Sequence, residues 1–191
     1  MKRMAISFTA VLISFSVSNA QFTKIGGGVA LSNGFRFHNL DHESNRSGHL
    51  AAFGKGIYEI NQPFQISPSF TIFIPNVTKD GKDRIIVSSM MIDINGHYVV
   101  NSLHRFEFYG LAGINILLAW QKTIYEVSPA FKESDNAIGL NAGAGTFISI
   151  TEKVDLFAEI KYLISKYDQL VVNAGILISP GWLNRQVRPG K

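Results

Sequence analysis

The sequence predicts an all-β fold: an eight-stranded antiparallel up-and-down β-barrel. Three observations carry this. Apolar residues alternate with mixed ones in segment after segment, and the apolar parity is never charged. Long polar connections alternate with short turns. Beyond the first twenty residues, no stretch is long and apolar enough for a spanning helix. Because successive strand residues point to opposite faces, such a chain builds a sheet with one wholly apolar face.

The strands follow in order. The first is read at Lys24–Phe37, with Ile25, Val29, Leu31, Phe35 and Phe37 opposite Lys24, Arg36 and His38. The second, His49–Ile60, sets Leu50, Ala52, Tyr58 and Ile60 against Lys55 and Glu59. The third, Phe64–Pro75, sets Phe64, Ile66, Phe70, Ile72 and Ile74 against Gln65, Ser67, Ser69 and Thr71. The fourth, Ile85–Asn101, sets Ile86, Met90, Ile92, Ile94, Tyr98 and Val100 against Asp93, Asn95 and His97. The fifth, Arg105–Trp120, has Phe106, Phe108, Ile114, Ile116, Leu118 and Trp120 on one parity and Glu107, Tyr109 and Asn115 on the other. The sixth, Ala137–Ile150, sets Ile138, Leu140 and Ile148 against Asn141, Gly143 and Gly145. The seventh, Val154–Ile164, sets Leu156, Ile160, Tyr162 and Ile164 against Asp155, Glu159 and Lys161. The eighth, Leu170–Ser179, sets Leu170, Val172, Ile176 and Ile178 against Asn173 and Gly175.

The ends stand apart from this pattern. Lys2 and Arg3, the mostly apolar Met4–Val17 and the small residues Ser18-Asn19-Ala20 read as a signal peptide, residues 1–20, leaving Gln21 as the new N-terminus. The barrel domain is expected over 21–180 and a basic tail over 181–191. Losing Lys2 and Arg3 removes two of the formal +4 charges, and Arg185, Arg188 and Lys191 sit in the tail. The body is therefore near neutral, and the basic pI does not indicate a nucleic-acid surface. With no cysteine there is neither a disulfide framework nor a lipid-attachment thiol.

Which side the apolar face looks to decides the class. Only 17% of residues are charged, below the roughly 25% of soluble domains. The mixed face is rich in Gly, Ser and Asn rather than in charge. Aromatics (Phe35, Phe37, Tyr58, Phe64, Phe106, Phe108, Trp120 and Tyr162) cluster near the apolar strand ends, as at a membrane–water boundary. The apolar face is thus expected to meet lipid, making a transmembrane barrel in the outer membrane. A soluble periplasmic lipid-binding barrel, with the faces inverted, ranks second.

An eight-stranded bore is just wide enough for side chains to fill. Arg36, Lys55, Glu59, Asp93, His97, Glu107, Asn115, Asn141, Glu159, Lys161 and Asn173 are expected to point into it as a structural polar network. Its charges must pair, with Glu159 and Lys161 finding partners on neighbouring strands. Such a network would plug the lumen. The connections Asn39–Gly48, Asn76–Arg84 and Gln121–Asn136 are read as long external loops, open to an extracellular or envelope partner. The turns at Asn61-Gln62-Pro63, Ser102-Leu103-His104 and Thr151-Glu152-Lys153 would face the periplasm.

The stretch GHYVVNSLHRFEFYGLAGINI, ending at Ile116, resembles small porin-like bacterial outer-membrane β-barrel proteins. So does GLNAGAGTFISITEKVDLFAEIKYLISKYDQLVVNAGILI, from Gly139 to Ile178. The resemblance implies the barrel fold and an outer-membrane location, but no particular activity. Many such barrels end on an aromatic residue. Here a polar basic tail, Gly181–Lys191, follows Pro180, so either Trp182 serves as a substitute at the interface or insertion tolerates a tail.

Other chemistry finds little support. His38, His42 and His49 flank Asp41 and Glu43, but loop spacing fixes no metal geometry. Ser44, Ser47, Ser88 and Ser89 with His42 and Asp41 supply the residue types of an enzyme modifying lipopolysaccharide acyl chains, without a nucleophile-elbow pattern. Gly26-Gly27-Gly28 and Gly143-Ala144-Gly145 lie in strands, so they read as sites of curvature or close packing rather than phosphate loops. The expectation is a non-enzymatic, monomeric barrel in contact with outer-membrane lipid, with no cofactor, no metal and no nucleic-acid partner.

Overall fold

The structure is a computed structural model that describes residues 22–36, 46–80, 83–125 and 131–180. Its strands are β1 (Phe22–Ser32), β2 (Phe35–Arg36), β3 (Arg46–Ser47), β4 (Leu50–Asn61), β5 (Phe64–Phe73), β6 (Asn76–Asp80), β7 (Asp83–Leu103), β8 (Phe106–Ile124), β9 (Phe131–Ser149), β10 (Val154–Ile164) and β11 (Gln169–Ile178). Eight of them form a ring in the order β1-β4-β5-β7-β8-β9-β10-β11. The last strand pairs back onto the first, antiparallel from Ile25↔Ile178 to Ser32↔Val171. Closure leaves the ring itself without an edge, which a lipid environment demands of any strand-built structure.

The two parities separate as the sequence predicts. Val29, Ile138 and Ile160 point outward at 58%, 76% and 48% exposure, whereas Asp93 and Lys161 are sealed inside at 0% and 1%. A soluble barrel would do the reverse. A ten-residue strand tilted by about 40° rises roughly 25 Å, the height of a membrane's apolar band. β5, β10 and β11 have close to that length.

Three expectations need correction. Asn76–Arg84 is not a loop, because β6 pairs with β7 from Asn76↔Val87 to Asp80↔Asp83. Gln121–Asn136 is not one either: β8 and β9 stay paired out to Thr123↔Phe131. The result is an antiparallel sheet, β6-β7-β8-β9, projecting beyond the other strands. It escaped notice because the absence of outward charge marks only strand in contact with lipid. Above Trp120 the outer face meets water, and lysine is allowed there. Third, Phe35 is not on the outer face but 4% exposed, with its ring 4.9 Å from that of Tyr167. Gly34 interrupts the alternation with φ +72°, a conformation glycine adopts freely and side-chain-bearing residues seldom do. Phe37 and the rest of 37–45 lie outside the described residues.

The bore is layered. Phe73, Met91, Leu117, Leu163 and Val171 fill its external half, each 1% exposed or less. Polar and charged side chains occupy the middle. Tyr109, Phe147 and Phe157 pack towards the periplasmic half, with Tyr109 and Phe147 stacked at 4.5 Å.

A lipid-facing Ile160 gives a direct test of which side is outside. Ile160→Lys should destabilise the barrel by about 2–4 kcal/mol in urea unfolding from lipid vesicles. An unchanged midpoint would mean that this face does not meet hydrocarbon.

Candidate functional site

The residues that converge are those of the middle layer. Glu159 on β10 and Asp93 on β7 organise it, and their surroundings are alike. Glu159 Oε2 pairs with Lys55 Nζ and accepts from the Tyr109 hydroxyl at 3.0 Å, while its Oε1 accepts from Asn173 Nδ2 at 3.0 Å. Asp93 Oδ2 pairs with Lys161 Nζ at 2.8 Å and accepts from Ser69 Oγ at 3.1 Å, while its Oδ1 accepts from Asn141 Nδ2 at 2.8 Å. Each carboxylate thus takes one lysine, one hydroxyl and one carboxamide. Asn141 Nδ2 also donates to Asn95 Oδ1 at 2.8 Å. These bonds tie together every ring strand except β1. Strand β1 joins through a separate pair, Lys24 Nζ to Asp155 Oδ2 at 2.7 Å.

The charge partners are not on neighbouring strands, contrary to the sequence expectation. Lys55 lies on β4 and Asp93 on β7, each three strands away around the ring from β10. The register explains this. Glu159 faces Gly145 on β9 and Asn173 on β11, and Lys161 faces Gly143 and Val171. With no charge beside them, both side chains reach across the bore. Gly145 has a second effect: a Cβ there would stand 2.5 Å from the Tyr109 ring and hydroxyl. Tyr109, directly opposite Gly145 in register, crosses over it to reach Glu159 on the next strand.

The remaining residues singled out from sequence are placed as follows. His97 is buried, stacked on Tyr109 at 4.3 Å, with Nε2 3.9 Å from Glu159 Oε2. Asn115 is buried beside the network, with no side-chain hydrogen bond to protein. Glu107 is half-buried and accepts from Gln65 Nε2 at 3.2 Å. Glu59 is half-buried and outside the network. Arg36 sits in β2, opposite Arg46. Tyr109, Ser69 and Asn95 belong to the network but were not singled out. Tyr109 shares the parity of Glu107, and the facing glycine was the available signal.

At the external rim a second, partly exposed cluster links β9 to the β10–β11 turn. Asp135 is hydrogen-bonded by Lys166 and the Tyr167 hydroxyl. The Lys166 ammonium, then the hydroxyl, hold its carboxyl below the usual carboxylate range, and Asp135 in turn raises Lys166.

Neither catalytic nor metal-binding geometry emerges among the described residues. Among the described residues no group of His, Asp and Glu is placed to hold a metal ion. His49 Nδ1 lies 3.4 Å from the Ser32 carbonyl oxygen rather than a carboxylate. His38, His42 and Ser44 lie outside the described residues.

Comparison with known proteins agrees with this architecture. The chain is similar in fold to the attachment invasion locus protein Ail of Yersinia pestis (TM-score 0.53, 17% identity, 81% of this chain and 97% of that one). It is likewise similar to Neisserial surface protein A (0.52, 13%, 82% and 94%). A third similar structure is the N-terminal β-barrel domain of Pseudomonas aeruginosa OprF (0.52, 14%, 82% and 97%). No curated protein sequence matches the chain. The model of the outer membrane protein beta-barrel domain family matches residues 7–179. The chain belongs to that family and is a β-barrel protein of the outer membrane.

Proposed function

We propose that this is a non-enzymatic barrel whose bore is closed by its own side chains, and that it acts as a structural or partner-binding element of the envelope through its external rim. The observation that carries this is the balanced middle layer, Lys55–Glu159 and Lys161–Asp93, held between apolar and aromatic layers. Charges fully paired with each other present none to a passing ion. The uninterrupted outward apolar face suits a monomer surrounded by lipid. The projecting β6-β7-β8-β9 sheet, together with the external connections, offers the surface for a partner.

Three outcomes are expected. The purified protein, reconstituted in planar bilayers, should show no large, steady single-channel conductance; a porin-like current would overturn the closed bore. Glu159→Ala strands Lys55 in a dry interior and should cost about 3–5 kcal/mol in urea unfolding, whereas the double change Lys55→Met with Glu159→Leu should cost much less. Equal losses would mean that the pair is not held as a buried unit. N-terminal sequencing of membrane-extracted protein should begin at Gln21; a start at Met1 would remove the signal-peptide reading.

A further inference from the structure

The outer face of the projecting sheet changes character abruptly as it leaves the lipid band. In register, one rung runs Phe70–Ile92–Ile116–Ile138 and the next Ile72–Met90–Leu118–Asn136. Then come Ser88–Trp120–Ser134 and, above them, Val77–Ile86–Lys122–Lys132. The last pairs Lys79 with Arg84. Lys79, Arg84, Lys122 and Lys132 are all exposed on this one face. Among the described residues none of the four is ion-paired, and no carboxylate shares the face. The acids of the projecting strands take the opposite parity: Glu133 and Asp135 on β9, and Asp80 and Asp83, which pair in register directly beyond Lys79 and Arg84.

Two features make this more than a solvated surface. Lys79 faces Arg84, and Lys122 faces Lys132, as direct cross-strand neighbours. Like charges so placed oppose pairing unless an anion lies between them. Directly below Lys122 and Lys132, an open groove of about 320 Å³ is lined by Leu118, Ala119, Trp120, Ser134, Asp135 and Asn136, the Asp135 carboxylate being held by Lys166 and the Tyr167 hydroxyl. It joins the cations to the apolar band. A ligand matching both would carry negative charge at the water side and hydrocarbon below it.

We propose that Lys79, Arg84, Lys122 and Lys132 form a cationic shelf that binds the phosphate groups of anionic lipid in the outer leaflet, with the groove beneath taking the headgroup and the start of its acyl chains. This rests on the outer-membrane placement of the barrel and goes beyond it, assigning a lipid class and the residues that select it. A lysine or arginine near an anionic membrane surface contributes about fivefold to association.

The test uses the full-length protein in nanodiscs made from an equimolar mixture of phosphatidylglycerol and phosphatidylcholine. The lipid kept around the barrel is counted by native mass spectrometry after mild detergent release. The wild type should retain phosphatidylglycerol in excess. Lys122→Gln with Lys132→Gln should reduce that excess at least fivefold, and adding Lys79→Gln and Arg84→Gln should remove it. Heat-dependent electrophoretic migration checks that each variant is still a folded barrel, so loss of the barrel is seen separately from loss of the shelf. An undiminished excess in a folded fourfold variant would overturn the proposal. So would equal retention of both lipids by the wild type. Cation-dependent binding of soluble heparin by the detergent-solubilised protein, without lipid preference, would reassign the face to a soluble polyanion.

Discussion

A strand ring immersed in hydrocarbon gives its polar side chains one place to go, and that place is narrow. The rest of this structure depends on that constraint. An eight-stranded bore admits side chains but little solvent, so Glu159, Asp93, Lys55 and Lys161 must satisfy one another or remain unpaired in a dry space. The two carboxylates meet this in the same way, each with a lysine, a hydroxyl and a carboxamide. Because the bonds cross the bore instead of running along the wall, they fix how strands far apart in the ring stand relative to one another. Backbone ladders alone join only neighbours.

The glycines of β9 make that crossing possible. Gly143 and Gly145 stand beside Lys161 and Glu159 in register. Larger side chains would fill the wall where Tyr109 now passes to Glu159, Gly145 giving it the room. The strand propensity lost by placing glycine in a sheet is offset by a hydroxyl delivered to a buried carboxylate. The apolar layer above and the aromatic layer below serve the same end. They bury these bonds, and a buried polar pair is stronger when intact and costlier to break.

The fold was legible in the sequence wherever lipid sets the rule. From Phe106 to Trp120 one parity carries no charge, and the register places that parity outward throughout. The rule lapses where lipid ends. Lys122 and Lys132 on the same parity made strand look like loop, and β6 was missed for the same reason at Lys79. Phe35 was misplaced because one glycine in the left-handed region reset the alternation, an event invisible to a count of two. Within the bore, sequence parity points to Lys55, Asp93, Glu159 and Lys161, but not to their partners. Pairing depends on what lies across a closed ring, and alternation along one strand carries no information about that.

The same reasoning separates the two ends of the barrel. On the periplasmic side the turns are short and the ring ends close to the lipid band. On the external side β7, β8 and β9 continue for several rungs past the point where β5 ends. Strand that extends past the membrane gains nothing from burial in lipid, and its outward face meets water. What holds it is partly the inward face, where Ile85, Val87, Gln121 and Thr123 are buried. Its outward face carries opposed cations that weaken the pairing. A projecting sheet whose inner face is built for cohesion and whose outer face is built against it is best understood through what the outer face meets.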